Sequence, residues 1–258
     1  MKLRLRGEVL WLDITEGDLP VPPSRPVRAG VSTRVGGVSR GPYTSLNLSA
    51  TSGDDPFSVE ENWRRFSRAL GFPREAVVRL RQVHGSRVVE VAGPGSDAPP
   101  EEGDALLTFS PGPVLSVTVA DCFPVFGFSR SAPALFLAHA GWRGTLGGIV
   151  RECLRALRRR GIRGEEVTLL FGPGIGPCCF RVSPEVARLF PSFAVREGED
   201  GFYVDLPAAN AAQAREEGVR EEGLFFSDLC TSCRGDLFFS YRRDGPRSGR
   251  MAAVAQML

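Results

Sequence analysis

Three side chains in this 258-residue sequence could bind a metal ion: His84, Cys122 and His139. The chain has only two histidines, and each of these three residues ends or interrupts an apolar, β-like run. We therefore expect all three to project from the same end of a sheet into one cavity. Two imidazoles and one thiolate leave a tetrahedral Zn²⁺ with an open fourth position, which is the pattern of catalytic rather than structural zinc sites.

The spacing of the three residues is not a local zinc-finger motif, so the residues alone leave other interpretations open. In one, both histidines and the cysteine are buried, hydrogen-bonded and inert. In another, Cys122 is a nucleophile with a histidine as its base, as in a cysteine hydrolase or amidase. The metal-centred and nucleophilic interpretations use the same atoms, and metal content separates them. Asp121 is expected to face away from a cavity lined by Cys122 unless the chain turns at Pro124.

Arginines beside glycine-rich turns form a second candidate group. They are Arg34 in STRVGG, Arg143 in GWRG, and Arg242 and Arg243 in SYRRDG. A guanidinium binds phosphate or carboxylate with two hydrogen bonds, and glycine lets the backbone approach such a ligand. The group predicts an oxyanion substrate, although a structural salt bridge explains any single one of these arginines equally well.

Four cysteines lie in two short motifs, Cys178 and Cys179 in GPGIGPCCF and Cys230 and Cys233 in CTSC. The adjacent pair cannot hold a metal ion with normal geometry unless other ligands help. CTSC has the spacing of a redox or zinc-knuckle motif, but a four-cysteine site would need the other pair nearby, so a structural or incidental role is expected. GPGIGPCCF also lacks the full G-x-G-x-x-G pattern of a dinucleotide site.

Charge and hydropathy narrow the class of protein. The net charge is +2, with 32 basic and 30 acidic residues mixed along the chain, so no nucleic-acid partner is expected. The first residues alternate charged and apolar positions, unlike a signal peptide, and no apolar run approaches the roughly 20 residues of a membrane span. Six cysteines are too few for a disulfide framework. A soluble cytoplasmic protein without a membrane partner is predicted.

Patterns of apolar residues predict both strands and helices along the chain. Strands are expected in LRLRGEVLWLDI, in two segments around a turn at Gly85, in GDALLTFSPGPVLSVTVADCFPVFGFS, in ALFLAHAGWRG, in VTLLF and in DLFFSYRRDG. Helices are expected from Asp54 to Leu70, from about Thr145 to Arg160, in SPEVARLF with Ser183 as its cap, and in YVDLPAANAAQAREEGV. Because strands and helices do not alternate regularly, the pattern predicts an α+β or irregular α/β fold.

Seven phrases between Ser32 and Ala252 occur in a recognisable order: STRVGGVSRGPYTSLNLS, QVHG, GDALLT, VADCFPV, AHAGWRGT, GPGIGPCCFRV and CTSCRGDLFFSYRRDGPRSGRMA. Together they resemble the YfiH-like, or laccase-domain, family of purine nucleoside phosphorylases, long labelled polyphenol oxidases. VADCFPV and AHAGWRGT are highly specific when they occur in one chain, and the resemblance covers nearly the whole sequence.

The resemblance implies one α+β domain over residues 1–258, with layered mixed β-sheets flanked by helices, similar to YfiH-like and cytotoxic-necrotizing-factor-like folds. It also implies a zinc site made by His84, Cys122 and His139, with Cu²⁺ possible in vitro. The implied activity is cleavage of adenosine, inosine and methylthioadenosine with phosphate to the free base and (methylthio)ribose 1-phosphate, with adenosine deaminase activity besides. The residues expected to contact substrate or phosphate are Arg34, Asn47, Gln82, Arg143 and Arg243.

Copper-dependent oxidation of phenols is an older attribution of the same family. A multicopper oxidase needs several copper centres and many histidines, which two histidines cannot supply. A non-enzymatic metal-binding protein is disfavoured because the ligand set leaves an open position. The sequence departs from the family pattern at Trp63, Arg181 and Ser248, and the Cys178–Cys179 pair is taken as not general to the family, which argues against a catalytic role for it. A monomer acting on a small molecule is expected.

Overall fold

The structure is a computed structural model that describes residues 1–15, 22–93 and 100–258. Its strands are β1 (Lys2–Arg6), β2 (Val9–Thr15), β3 (Val27–Ser32), β4 (Val77–Arg79), β5 (Val88–Glu90), β6 (Ala105–Thr108), β7 (Val114–Val119), β8 (Phe123–Ser129), β9 (Leu135–Ala140), β10 (Val167–Phe171), β11 (Arg181–Val182), β12 (Val195–Gly198), β13 (Gly201–Val204), β14 (Leu224–Phe226) and β15 (Met251–Met257). Its α-helices are α1 (Pro56–Leu70), α2 (Trp142–Leu146), α3 (Ile149–Arg158), α4 (Pro184–Ala187), α5 (Leu206–Glu216) and α6 (Tyr241–Asp244).

Two six-stranded sheets form the centre of the described chain. The first has the strand order β1-β2-β3-β15-β7-β4, and the second has the order β14-β10-β8-β9-β6-β5. A small third sheet has the order β11-β13-β12. Apolar side chains from the first and second sheets share one buried cluster, so the two sheets pack face to face. Antiparallel and parallel pairs occur in both large sheets, as the predicted mixed sheets require.

Helices cover the outer faces of the two large sheets. The α1 helix packs on the first sheet through Trp63 and Phe66, both fully buried. Its start is capped by the Asp55 carboxylate, and its end is set by Gly71 in the left-handed region at φ 83°. On the second sheet, α3 and α5 bury their apolar faces in another cluster. The predicted α+β class with layered sheets flanked by helices is confirmed.

The helix predicted from Thr145 to Arg160 is in fact two helices. The chain breaks between α2 and α3 at Gly147 and Gly148, and Gly148 takes a left-handed φ of 77°. A continuous helix would need Gly148 in the right-handed region, so the single-helix prediction was wrong at its start. The predicted apolar stripe on α3 is buried as expected.

Three further local predictions need correction. The strands on either side of Gly85 are present, but β4 joins the first sheet and β5 joins the second, so the segment crosses between sheets. DLFFSYRRDG is not a strand: its second half forms α6, because Ser240 caps that short helix by accepting from the Arg243 amide. Ser183 occupies the first position before α4, but its hydroxyl makes no capping hydrogen bond. No helix in the described residues is long and apolar enough to cross a membrane.

Candidate metal centre

The hairpin of β8 and β9 brings Cys122 and His139 together. These strands are antiparallel, with Pro124 opposite His139 and Phe123 opposite Ala140. Because the start of one antiparallel strand lies beside the end of the next, Cys122, directly before β8, comes beside His139 near the end of β9. The sequence expectation that these two residues meet at one end of a sheet agrees with this register.

His84 reaches the same place from the segment that crosses between the two large sheets. Asp104, just before β6, holds this segment: its carboxylate accepts from the amides of Val83 at 3.2 Å, His84 at 2.9 Å and Gly85 at 2.7 Å. His84 itself has a left-handed φ of 59°. A non-glycine residue held at positive φ is strained, and such strain is typical of functional sites. Asp104 therefore fixes where the His84 side chain starts.

The three candidate ligands converge on one point. One donor atom from each of His84, Cys122 and His139 can be chosen so that all lie within 4.8 Å of one another. The two imidazole rings are 4.9 Å apart between centroids and nearly perpendicular, at 76°. His139 is buried, Cys122 is partly buried and His84 is exposed, so the cluster opens to solvent on the His84 side. The donor set, two nitrogens and one sulfur with an open side, fits a catalytic zinc ion.

Asp104 also orients His139. The two residues contact each other through His139 Nδ1 and Asp104 Oδ1 at 2.9 Å, and the His139 amide donates to the Asp104 carbonyl at 2.7 Å. With Nδ1 used in this way, Nε2 is the ring nitrogen available to a metal. A carboxylate behind a metal-binding histidine fixes its tautomer and ring direction. Burial acts to raise the pKa of Asp104, but hydrogen bonds from His139 and backbone amides outweigh it and lower that pKa.

Charge pairing sets the protonation of the metal-free site. Burial opposes ionisation of the Cys122 thiol, but the charge of His139 and hydrogen bonds from both imidazoles lower its pKa to about 6. Burial likewise opposes the charged form of His139, while Cys122 and Asp104 raise the pKa of His139 to about 9. Near neutral pH the metal-free pair is therefore a thiolate beside an imidazolium. The thiolate is ready to bind a metal, and His139 must first lose a proton.

Glycine gives the ligands room at the start of α2. A β-carbon placed on Gly141 would lie 2.8 Å from the Cys122 sulfur and 3.4 Å from His84 Cδ2. One on Gly144 would lie 2.8 Å from the Gly85 carbonyl oxygen. The two separations of 2.8 Å are too short for a β-carbon unless a neighbouring atom is displaced. The glycines of AHAGWRGT thus allow the helix start to pack directly against two of the three ligands.

Asp121 turns its carboxylate toward two other segments of the chain. Asp121 has a φ of 91°, and its carboxylate accepts from the Thr231 hydroxyl and the Arg242 amide, both at 2.7 Å. The Ile175 amide donates to the Asp121 carbonyl at 2.8 Å. This residue therefore ties the chain just before Cys122 to the loops that follow β10 and β14.

The predicted arginines differ in how many contacts their guanidinium groups make within the protein. Arg34 donates to the carbonyls of Thr44 and Gly235 and lies over the Phe239 ring, 4.7 Å from its centroid. Arg243 donates to the Asp244 carboxylate and to three backbone carbonyls. Arg143 is exposed and lies over the Trp142 ring at 4.3 Å. Arg143 and Arg243 are exposed and Arg34 is half-buried, but the hydrogen bonds of Arg34 and Arg243 to the chain favour structural roles for those two.

Asn47 and Gln82 also have internal partners. Asn47 is fully buried, its Nδ2 contacts Ser52 Oγ and Asp54 Oδ2, and its oxygen accepts from the Arg250 amide. Gln82 Oε1 accepts from the amide and hydroxyl of Thr118, and its Nε2 donates to the Thr118 carbonyl. These contacts favour supporting roles in place of the substrate contacts predicted for the two residues.

Two residues of this region were not identified from the sequence. One is Asp104, which orients two ligands and lies in the quoted phrase GDALLT. The other is Arg250, whose guanidinium donates to the carbonyls of Ser248 and Gly249. Burial lowers the pKa of Arg250, while the charges of Asp121 and Cys122 act to raise it. Arg250 also lies 5.6 Å from the Tyr241 ring centroid. Their motifs were noted, but nothing in a strand pattern shows which carboxylate or arginine faces the cluster.

Two cavities in the described chain are lined by neighbours in sequence of the candidate ligands, but His84, Cys122 and His139 line neither of them. One of about 650 Å³ is lined by Gln82, Thr118 and the chain around β4 and β5. The other, of about 460 Å³, is lined by Phe123, the glycine-rich loop after β10 and the start of α5. Gln82 is two residues from His84, and Phe123 directly follows Cys122. The smaller cavity is also lined by Cys178 and Cys230.

Comparison with known proteins gives consistent matches over almost the whole chain. Residues 28–258 match the family described as multi-copper polyphenol oxidoreductase laccase. A protein of Geobacillus stearothermophilus named purine nucleoside phosphorylase YlmD is 39% identical over 248 residues, which is 90% of each chain. The purine nucleoside phosphorylase YfiH of Escherichia coli is 38% identical over 243 residues, 92% of this chain and 96% of that protein. The crystal structure of YlmD from Geobacillus stearothermophilus superposes with a TM-score of 0.87, covering 99% and 98% of the two chains at 34% identity.

Proposed function

This chain belongs to the family described as multi-copper polyphenol oxidoreductase laccase, and from that membership and the site geometry we propose that it is a zinc-dependent purine nucleoside phosphorylase. The observation that carries the proposal is the cluster of His84, Cys122 and His139, with Asp104 behind it and one side open to solvent. The reaction class is inferred from the names of the relatives, and the cluster is the proposed location of the reaction.

The residues that would hold the zinc ion are His139 through Nε2, His84 through a ring nitrogen and Cys122 through its thiolate. When bound there, zinc supplies a Lewis acid at the open position. The chain supplies the rest of the site. Asp104 keeps His139 in one tautomer, and Gly141 lets α2 start against the ligands without displacing them.

Phosphorolysis needs phosphate held beside the anomeric carbon while the glycosidic bond loosens toward an oxocarbenium-like state. Arg143 is the cation best placed to hold phosphate, because it is exposed and lies two residues after Gly141, where α2 starts against the ligands. Arg250 would first have to leave the carbonyls of Ser248 and Gly249, to which its guanidinium donates. The carboxylate of Asp121 accepts from the Thr231 hydroxyl and the Arg242 amide, which partly offset its negative charge. Of the residues first predicted to bind phosphate, only Arg143 keeps that proposed role without rearrangement.

Adenosine, inosine and methylthioadenosine are the proposed substrates, with adenosine deaminase activity at the same open site. All share a purine joined to a ribose-type sugar, so one phosphate position can serve each. We propose that the reactions take place in the cytoplasm on a monomer, with small molecules as the only substrates.

A second candidate has one observation in its favour. Asp104, His139 and Cys122 are arranged in series, as in a catalytic triad with a cysteine nucleophile. The position of His84 favours the metal centre, because a nucleophile needs one base, whereas two imidazoles converge on this thiol. The copper chemistry in the family description is not supported by the ligand supply, since a chain with two histidines cannot build several copper centres.

The proposal is tested by incubating metal-defined protein with inosine, with and without phosphate. We expect hypoxanthine and ribose 1-phosphate in equal amounts, and only when phosphate is present. Adenosine without phosphate then tests deamination separately through inosine formation. Hypoxanthine release that is independent of phosphate would contradict phosphorolysis, and activity in fully metal-depleted protein would favour the cysteine nucleophile.

A further inference from the structure

Four cysteines from two distant motifs meet outside the metal centre described above. The sulfur atoms of Cys178, Cys179, Cys230 and Cys233 all lie within 4.8 Å of one another. No pattern in the sequence indicates that the two pairs lie together, and CTSC was expected to stand alone. The structure corrects this expectation, because the loop after β10 and the loop after β14 run side by side.

Backbone contacts hold the two loops in register. Gly174 and Cys230 form a parallel β-bridge, and the Thr231 amide donates to the Gly174 carbonyl at 2.9 Å. The Gly176 amide points at the Cys230 sulfur, 3.2 Å away. An amide directed at a cysteine sulfur stabilises a thiolate, the form that binds metal. The four sulfurs are thus brought together by main-chain structure.

The spacing of the sulfur atoms fits one tetrahedral ion. Cys178 and Cys233 have sulfurs 3.7 Å apart, and those of Cys179 and Cys233 are 3.4 Å apart. A tetrahedron with zinc–sulfur bonds of about 2.3 Å has sulfur–sulfur edges of about 3.8 Å. A disulfide bond is only about 2.05 Å long. We propose that Cys178, Cys179, Cys230 and Cys233 form a second metal site, which binds one zinc ion through four thiolates.

The chemistry of four thiolates selects zinc and assigns a structural role. A tetrahedral site of four soft sulfur ligands suits zinc, and with every position filled by protein it leaves none for substrate. The adjacent pair Cys178–Cys179, which could not hold a metal alone, receives the required help from Cys230 and Cys233. Cys178 and Cys233 are exposed, so the ion can enter from solvent.

Asp121 links the loops of the four-cysteine site to the chain that leads into Cys122. Ile175, in the loop after β10, donates its amide to the Asp121 carbonyl, and Thr231, in the other loop, donates its hydroxyl to the Asp121 carboxylate. The Arg242 guanidinium donates to the carbonyls of Cys179 and Arg181. A zinc ion joining these loops therefore stabilises the support of the chain that leads into Cys122.

Metal content of purified full-length variants tests the second site. Wild type and Cys153→Ala should contain about two zinc ions per chain, and Cys122→Ala, Cys178→Ser and Cys233→Ser about one each. Cys153 is a matched control because it is a buried cysteine of α3, outside both clusters. Equal zinc content in wild type, Cys178→Ser and Cys233→Ser would overturn the proposal.

A second measurement on the wild type does not depend on the folding of a variant. After exchange with ¹¹³Cd²⁺, two cadmium resonances are expected, and the one with four sulfur ligands is the more deshielded. Titration of thiols in denatured, chelator-treated protein should give all six cysteines as free thiols. A single cadmium resonance of the mixed nitrogen–sulfur type, or loss of two thiols to a disulfide that links the two loops, would overturn the proposal.

Discussion

Two clusters of potential metal ligands lie in the part of the chain that the structure describes, and they differ in the features that separate catalytic from structural sites. The cluster of His84, Cys122 and His139 has three ligands, a carboxylate behind one of them and a side open to solvent. The four-cysteine cluster has four identical soft ligands, which is enough to fill every position of a tetrahedral ion. Ligand number and ligand support, more than the presence of cysteine, therefore decide what such a cluster can do.

The two clusters also differ in what positions them. In the first, Cys122 and His139 are fixed by the register of β8 and β9 within a buried sheet. In the second, the ligands come from two loops joined by a single β-bridge and a few backbone hydrogen bonds. A sheet holds its ligands in place before any metal binds, whereas paired loops gain much of their order from the ion. Loss of the first metal should therefore reduce activity, and loss of the second should reduce stability.

Substitution of a direct ligand should have the largest effect on activity. His139→Ala removes a ligand and leaves Asp104 without its imidazole partner, so phosphorolysis should fall by more than the roughly 100-fold typical of a lost supporting residue. Zinc content should fall by about one ion per chain. Steady-state kinetics with inosine and metal analysis check both results, and near-wild-type activity in a correctly folded His139→Ala protein would remove the distinction between the clusters.

Removal of the supporting carboxylate should have the next largest effect. Asp104→Asn keeps the size of the side chain but loses the charge that fixes His139 and holds three successive amides, so zinc affinity or kcat/KM should fall by about 10- to 100-fold. Asp236→Asn is the matched control, because Asp236 is an exposed carboxylate paired with Arg234. The effect is checked by competition with a zinc chelator, and equal affinities of the two variants would contradict the role of Asp104.

A ligand of the closed cluster should affect stability more than activity. Cys233→Ser should lower the apparent Tm by several degrees or more, because an ion bound only by the folded state stabilises that state. Its kcat/KM at 25 °C should stay within about threefold of wild type, since Cys233 does not touch the open site. Thermal unfolding and kinetics of the same sample check this. A large loss of kcat/KM with an unchanged Tm would reverse the roles given to the clusters.

The pH dependence of zinc binding should be the smallest effect, but the one most specific to the open cluster. Zinc binding at the open cluster needs neutral His139, whose metal-free pKa is about 9, and thiolate Cys122, whose pKa is about 6. Between these values binding must release the proton of His139, so affinity falls about tenfold per pH unit as pH decreases and falls more steeply below pH 6. Calorimetry in buffers of different ionisation enthalpy, performed on Cys233→Ser, measures the released protons. Release of no proton at pH 7.5 would contradict the charged pair.

Much of the fold was predictable because its signals are local. The α1 helix shows its aspartate cap, its apolar face and its terminal glycine within 17 residues. The buried strands β6 to β10 appear as apolar runs. The break at Gly148 and the short helix α6 were missed. The α6 helix has a local cap at Ser240, but it is also held by a distant residue, because Arg242 donates its amide to Asp121, more than 100 positions away in sequence.

The candidate ligands could be predicted from the sequence, but the residues that position them could not. Two rare histidines and a cysteine, each at the end of an apolar run, suffice to suggest a metal. The roles of Asp104 and Arg250 depend on which way side chains point after the two sheets have packed. Likewise, asparagine is a residue type that often contacts substrate, but Asn47 is buried and hydrogen-bonded to Asp54 and to the backbone of Arg250. The pairing of the two cysteine motifs depends on loop positions that no short-range pattern encodes.

The central claim is that the open cluster performs phosphorolysis, and one pair of variants tests it most directly. Phosphate-dependent hypoxanthine release from inosine is measured for Cys122→Ala and Cys153→Ala, each checked for folding by circular dichroism. We predict that Cys153→Ala stays within about threefold of wild type, while Cys122→Ala loses more than about 100-fold in kcat/KM. Wild-type kcat/KM in folded Cys122→Ala would contradict the claim.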